Sequence, residues 1–383
     1  MMETFMHISV EKALFLKVLG HGQSVVEKKT TVPIISTVLL QAENGQLSIT
    51  ATDMDMALVE RIPVEVKAPG AVCVSASLLH DIVKKLNDKK VIDLTVSDDG
   101  SRLFIVSGRS RFDMGCLPVE DFPQLVQSEI THRFELPAPV FRHLIDATRF
   151  CMAVEETRYH LNGIHFHAHE EAGTQYLRAV ATDMHRLACV ECEAPEGVKD
   201  MPQVIIARKT IQEIRKLLDD AETPIQIGLS STRVEFNVQG AGYDATLTAR
   251  LVEGTFPDYH AAILVENDKS LIVSTKEFSE SIDRVGTVVT NDKLRAIKLI
   301  ARDNQATLSA ISKDFGSATE EIDVDFAYTD PVDVCFNVRY LMDVAQQINT
   351  EEMELLLLDA DSSIVIQPVG NPHMIFILMP MQE

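Results

Sequence analysis

No apolar run in the chain approaches the ~20 residues that a membrane-spanning helix needs, so no membrane partner is expected. The first residues, Met1-Met2-Glu3-Thr4-Phe5, show no basic region leading into an apolar one, and no signal peptide is expected. Cysteines are few and scattered, at 73, 116, 151, 189, 192 and 335. That pattern predicts buried free thiols in a reducing cytoplasm. The single C-x-x-C, Cys189 to Cys192, lies in the alternating run Leu187–Cys192. A zinc ribbon needs two such pairs, and a redox pair should open a helix. No phosphate-cradling glycine loop and no G-x-G-x-x-G after a strand is present. No Ser-His-Asp set can be assigned by spacing, and no zinc finger or RNP motif occurs. Base is in deficit: 35 Lys and Arg against 57 Asp and Glu give −22. A net anion repels phosphate.

What is present is length and alternation. A chain of 383 residues exceeds one ordinary core, so two or three domains are expected. Period-two alternation predicts strands at Val38–Gln41, Gln46–Ala51, Leu58–Val66, Val91–Val96 and Leu103–Val106, with turns at Asn44-Gly45 and Asp99-Gly100. Helical spacing predicts helices at Val10–Leu19 and Ser75–Leu86. Ser75 or Ser77 caps the second, and Leu78, Leu79, Ile82, Val83 and Leu86 form its buried stripe.

The pattern recurs. Ala51-Thr52-Asp53-Met54 returns 130 residues later as Ala181-Thr182-Asp183-Met184. The first helix recurs near Val140–Ala147 and Glu277–Val285, with Leu14, Phe141 and Phe278 as equivalents. The second recurs as Arg208–Leu218 and Asn337–Ile348. Phe122-Pro123 and Phe256-Pro257 close the first two units. Self-similarity at a fixed period speaks for the whole fold. The chain reads as three copies of one α+β domain with antiparallel sheets and helices gathered on one face. The linkers Gln127–His132 and Leu264–Ser270 divide it at 1–129, 130–264 and 265–383.

Charge is segregated. The six helical stretches sum to +6, leaving −28 on the rest. Charge alone leaves two readings open. One is a basic face for nucleic-acid backbones. The other is solvated lysines and arginines that keep helices soluble.

The stretch Arg158–Leu187 holds two strand-like runs, Ile164–Ala168 and Tyr176–Ala181, joined by the turn Glu170-Glu171-Ala172-Gly173. Such a turn brings the ends together, setting Leu161, Leu187 and the Thr182 methyl beside Arg158, Tyr159, His160, His185 and Arg186. An apolar cleft rimmed by bases is a docking surface. Asp53, Asp55 and Asp183 are candidates for a magnesium-dependent phosphoryl-transfer site, but a duplicated Thr-Asp reads more simply as a turn cap. His165, His167 and His169 share a strand face; the outer two are ~13 Å apart, too far for one ion, and a solvated face is expected. Leu355–Leu358 reads as a buried strand, and Phe315-Gly316 as a turn.

Several segments, in order, resemble the beta subunit of bacterial DNA polymerase III, the replicative sliding clamp. They are Val32-Pro33-Ile34-Ile35, Ser107-Gly108-Arg109-Ser110-Arg111-Phe112, Arg158-Tyr159-His160-Leu161-Asn162-Gly163, Ala181-Thr182-Asp183-Met184-His185-Arg186-Leu187, Phe256-Pro257-Asp258-Tyr259 and Met379-Pro380-Met381. The resemblance covers essentially the whole chain. It implies a non-enzymatic processivity factor without metal or cofactor: a head-to-tail homodimeric ring, helices inside and sheets outside, around double-stranded DNA of any sequence. Implied DNA contacts are Lys29, Arg158, Tyr159 and His160, with Lys84, Lys85, Arg208 and Lys209 added from their helical positions. The implied peptide pocket is Leu161, Thr182, Met184, His185, Arg186, Leu187, Pro257, Ile377 and Met379. It serves the polymerase III catalytic subunit, the clamp loader, other polymerases and repair proteins. The implied dimer interface joins Phe112 and Met114 to Val288 and Val289 of a second copy. Against the family pattern, His160 replaces tyrosine, Met184 replaces glycine, Ala261 and Ala262 replace a bulkier pair, and Gln382-Glu383 ends the chain. Two rivals stand beside this reading: a nuclease built on Asp53, Asp55 and Asp183, and a peptide scaffold that binds no DNA.

Overall fold

The computed structural model describes residues 5–27, 30–87, 91–124, 129–263, 266–293 and 295–381. Lys29, Gln382 and Glu383 lie outside the described residues. The first repeat runs β1 (His7–Glu11), α1 (Lys12–Val25), β2 (Thr37–Glu43), β3 (Gln46–Thr52), β4 (Met56–Pro63), β5 (Glu65–Ala68), β6 (Gly70–Ser75), α2 (Ala76–Lys85), β7 (Val91–Val96), β8 (Arg102–Ser107) and β9 (Ser110–Leu117). The second runs β10 (His132–Leu136), α3 (Ala138–Asp146), β11 (Gly163–Glu171), β12 (Thr174–Thr182), β13 (Arg186–Glu193), β14 (Val204–Ala207), α4 (Arg208–Leu218), β15 (Ile225–Leu229), β16 (Arg233–Gly240) and β17 (Tyr243–Arg250). After the short helix α5 (His260–Ile263), the third runs β18 (Lys269–Ser274), α6 (Thr275–Gly286), β19 (Ala296–Arg302), β20 (Gln305–Ser312), β21 (Gly316–Asp323), β22 (Val332–Asn337), α7 (Val338–Ala345), β23 (Glu352–Leu357), β24 (Ile364–Pro368) and β25 (Met374–Leu378).

The repeat is written in the core. The fourth residue of each repeat's first helix is a fully buried phenylalanine: Phe15, Phe141 and Phe278. Leu14, the expected equivalent in the first repeat, is half-buried one position earlier. The fourth residue of each second helix is Leu79, Ile211 or Leu341, all without exposure. Ser75 accepts a hydrogen bond from the Leu78 amide at 3.4 Å and so caps α2, but the Leu78 side chain is exposed rather than part of the buried stripe.

Helix α1 runs six residues past its expected end at Leu19. Glycine is the least favoured residue in a helix interior after proline. Here a Cβ on Gly22 would sit 3.3 Å from Val38 Cγ1 and 3.6 Å from Ala51 Cβ. The helix continues because its glycine lets it lie directly on the sheet.

Packing divides the chain into two compact units, residues 1–142 with 195–252 and residues 143–194 with 253–383. In the first, one sheet runs β10-β15-β16-β17-β4-β3-β2-β6-β9-β8-β7-β1-β5. Helix α1 packs on α2 and on β3. Lys12, buried, ties the two helices by donating to the Leu86 carbonyl at 2.5 Å. In the second unit one sheet has the run β11-β12-β13-β25-β24-β23-β18 and another has β21-β20-β19-β22. There α6 packs on α7.

The units cut across the repeats because strands of neighbouring repeats pair. Strand β4 pairs antiparallel with β17, setting Arg61 opposite Asp244 and Met56 opposite Ala249. Strand β13 pairs antiparallel with β25, setting Arg186 opposite Leu378 and Leu187 opposite Ile377. Each repeat junction is thus a continuous backbone ladder, the same element meeting the same element.

Candidate functional site

The duplicated Thr-Asp builds the same turn twice. After β3, the Thr52 hydroxyl donates to the Met56 carbonyl at 2.8 Å and accepts from the Met54 amide at 3.0 Å. Asp53 Oδ1 accepts from the amides of Asp55 and Met56. After β12, Thr182, Met184 and Arg186 repeat the first two bonds, and Asp183 Oδ1 accepts from His185 and Arg186. The third repeat has Ser312 at the corresponding place, 130 residues on, accepting from the Asp314 and Phe315 amides. Sequence comparison missed this third turn because only the hydroxyl survives.

These bonds consume the carboxylates. Asp53 Oδ2 is held by Lys209 and Asp183 Oδ2 by Arg186. The metal-centre rival therefore loses two of its three ligands, and the third, Asp55, is exposed with Arg250 3.5 Å away. Among the described residues no group of three or more His, Cys, Asp or Glu is arranged to hold a metal ion. His165 and His167 share a face, with ring centroids 4.9 Å apart, but that face is packed, not solvated. His165 stacks on Phe256 at 4.7 Å, and His167 Nε2 lies 2.7 Å from the Tyr259 hydroxyl. Burial pushes the His167 imidazole below its usual range and the Tyr259 hydroxyl up to about 12. All six cysteines are free. Burial pushes the Cys73 and Cys189 thiols up to about 12, which keeps them unreactive.

At the second junction the turn Thr182–Arg186 lies beside the chain's last strand. The Met379 amide donates to the His185 carbonyl at 2.9 Å. Met184, 52% exposed, and Met379, 51% exposed, present apolar side chains on this surface. His185 is exposed and stacks on Tyr340. Pro257 is half-buried. Leu161, Leu187, Thr182 and Ile377, also expected in the pocket, are buried. Met184 occupies its turn with φ +75° and Met54 its own with φ +84°. The left-handed region favours glycine, and a side chain there carries strain.

Arg186 was expected on the rim. It is 8% exposed. Its guanidinium donates to Asp343 at 2.6 Å, to Asp183 at 3.1 Å and to the Phe150 carbonyl at 2.7 Å, and lies 4.2 Å from the Tyr340 ring centroid. A charge so completely partnered is an anchor for the turn.

The expected DNA contacts fall into two groups. Arg158, Tyr159 and His160 lie in a short 3-10 segment, Glu156–Leu161. Arg158 and Tyr159 are exposed, and Tyr159 meets His160 edge-on at 5.5 Å. Gly254, at φ +125°, passes beneath; a Cβ there would sit 3.5 Å from the Tyr159 ring. Lys84 and Lys85 are exposed in the last turn of α2, where the helix dipole favours cations.

Lys209 is different: its Nζ lies 2.5 Å from Asp53, 3.1 Å from Glu27 and 3.0 Å from the Val25 carbonyl. Arg208 is half-buried, and burial lowers its pKa. Much of the remaining helix charge is also cancelled in place. Lys17 pairs with Asp220, Arg215 with Asp219 and Lys216 with Glu213. The Lys216–Glu213 pair lies within one counted helix, but Asp220, Asp219, Asp53 and Glu27 lie outside the counted stretches and pair with Lys17, Arg215 and Lys209, so the surplus counted from sequence overstates the charge that is open to a ligand.

Of the expected interface residues, Phe112 is 37% exposed and Val288 half-buried. Met114 and Val289 are buried within their own units and offer no side chain to a second copy. The two eight-residue strands β9 and β21 are more informative. Among the described residues, β21 pairs only with β20, and β9 from Ser110 to Gly115 pairs only with β8. Ile311 and Phe315, at the hairpin joining β20 to β21, are 78% and 63% exposed.

Comparison with known proteins matches three family models in succession. Residues 6–126 match the N-terminal domain of the DNA polymerase III beta subunit, residues 135–258 its central domain and residues 262–382 its C-terminal domain. The beta sliding clamp of Caulobacter vibrioides is 40% identical over 378 residues, covering 98% of this chain and 100% of the relative. That of Escherichia coli is 33% identical over 380 residues, covering 98% and 100%. Among solved structures, the Bartonella birtlesii sliding clamp bound to griselimycin superposes with a TM-score of 0.93 at 42% identity, covering 99% of this chain and 100% of the other. The Pseudomonas aeruginosa beta subunit gives 0.88 at 33%, with the same coverage.

Proposed function

The chain belongs to the DNA polymerase III beta-subunit family, the bacterial beta sliding clamps, and from that premise we propose how it closes on DNA and what it carries. It is a DNA sliding clamp, a processivity factor without a reaction centre of its own, and its partners are DNA and the replicative polymerase. Its three domains are proposed to divide at 129/130 and 264/265. The working form is a homodimer in the cytoplasm.

One observation carries the proposal for closure. Strands β4, β13 and β21 are equivalent, each eight residues long and starting 130 residues apart; β9 and β17 are equivalent, 133 apart. Strand β4 pairs with β17 and β13 with β25, which leaves β21 and β9 as the one unmatched pair of that series. Two chains joined head to tail satisfy both edges twice and close. Open edges of this length otherwise invite aggregation. Carrying the Arg61–Asp244 register forward sets Glu321 of one copy opposite Arg111 of the next, an attractive pair. Phe112, Ile311 and Phe315 then gain cover.

Enclosure sets the mechanism. A closed ring needs no tight grip, so phosphate contacts from Lys84, Lys85, Arg158 and Tyr159 hold a duplex without reading it. Cancelled helix charges suit sliding, because each open lysine adds friction and salt dependence. The surface of Met184, His185, Pro257 and Met379 receives short apolar peptides from the polymerase, the clamp loader and repair proteins, anchored by a few buried side chains. The tether raises the local concentration of polymerase at the primer end.

The test is retention on DNA. The chain, loaded on nicked circular DNA, stays bound at salt that strips contact binders and leaves on linearisation. Loss from circles at the same rate as from linear DNA overturns enclosure.

A further inference from the structure

In the antiparallel pair β16–β17, Arg233 stands directly opposite Arg250. Like charges in that position destabilise a sheet. Little among the described residues relieves this pair. Arg250 makes one ion pair, at 3.5 Å, to Asp55, and both side chains are exposed. Arg233 makes none among the described residues. Two more arginines converge on the same cleft. Arg61 on β4 stands opposite Asp244 in register and makes no ion pair among the described residues, and Arg133 lies 3.5 Å from Glu235. The cleft crosses the β4–β17 junction and has a volume of about 520 Å³, in the range of ordinary ligand clefts.

Four arginines and one glutamate line the cleft, with Asp55 paired to Arg250 beside it, and in a chain of net charge −22 that is an arrangement whose local cost an anion lowers. The rest of the lining identifies the kind of anion. No aromatic residue lines the cleft among the described residues, so bases have nothing to stack on. Met54, 59% exposed at the lip, and half-buried Ile130 offer apolar seats beside the guanidiniums. Arginine's planar fork fits carboxylates in pairs. We propose that this cleft is a second docking site, for an acidic peptide segment of a partner protein in which carboxylates alternate with apolar side chains. The turn at its lip is the repeat equivalent of the Met184 turn, so each junction presents an exposed methionine beside a docking surface. The site does not depend on the docking role given to that second turn.

The test uses the full chain and a fluorescein-labelled hexapeptide alternating glutamate and leucine, followed by anisotropy at low ionic strength. The peptide binds and its glutamine counterpart does not. Arg233→Glu, which converts the repulsive pair into an attractive one, leaves thermal unfolding unchanged or raised and weakens binding at least about tenfold. Arg61→Gln, outside that pair, weakens it too. Met184→Ala combined with Met379→Ala leaves it unchanged. Equal binding of the glutamine peptide, unaltered affinity in both arginine variants, loss of binding in the methionine double variant, or equal competition by an oligothymidylate of the same charge each overturns the proposal.

Discussion

Lys209 Nζ lies 2.5 Å from Asp53 Oδ2, so a lysine of the second repeat closes a turn of the first. Asp53 is nearly buried, its side chain 8% exposed. Lys209→Ala strands that carboxylate and is expected to lower stability by about 1–3 kcal/mol in urea unfolding. Binding to a short duplex stays unchanged. A drop in duplex affinity with stability intact would return Lys209 to the DNA contacts.

Lys84 and Lys85 carry the opposite expectation. Both are exposed at a helix end with no ion pair among the described residues. Lys84→Glu with Lys85→Glu weakens binding to a short duplex and lowers the slope of log affinity against log salt by about 2. Retention on nicked circles persists, because enclosure does not need them. Lys29→Glu is expected to weaken duplex binding in the same assay.

Met184 and Met54 hold side chains on left-handed backbone. Met184→Gly relieves strain and is expected to raise stability by up to about 1 kcal/mol. It also removes half of the exposed methionine pair, so affinity for an apolar partner peptide falls. Met54→Gly gives the same stability gain with no loss at that surface. Calorimetry with peptide titration reads both quantities; a Met184→Gly chain less stable than the parent would contradict the strain argument.

Removing residues 379–383 deletes Met379 and its bond to the His185 carbonyl, but no part of β9 or β21. The truncated chain is expected to remain a dimer and to lose polymerase binding in pull-down. A monomeric product would connect the tail to the interface instead.

Much of this was legible in the sequence because it rests on local rules. The Thr-Asp turn, the helix starts and the alternating strands each follow from a few adjacent residues. The misses share one cause, dependence on distant chain. Gly22 continues a helix because Val38 and Ala51 lie against it. Phe15, rather than Leu14, is the core equivalent because the helix begins at Lys12. Arg186 and Lys209 read as open bases until Asp343 and Asp53 arrive from 157 and 156 residues away. Phe112 and Met114 put β9 at the interface in the sequence, but the partner expected there was Val288 and Val289 rather than β21, since an edge is defined by what fails to pair with it.

The central claim is that β9 of one copy pairs with β21 of the next. Sedimentation equilibrium measures it most directly, on the parent chain, on Arg111→Glu, and on Arg111→Glu combined with Glu321→Arg. The account predicts twice the 42.6 kDa chain mass for the parent, a shift to monomer for the single variant, and recovery of the dimer when both charges are exchanged. A parent chain that sediments as a monomer, or a single variant as tightly dimeric as the parent, would contradict it.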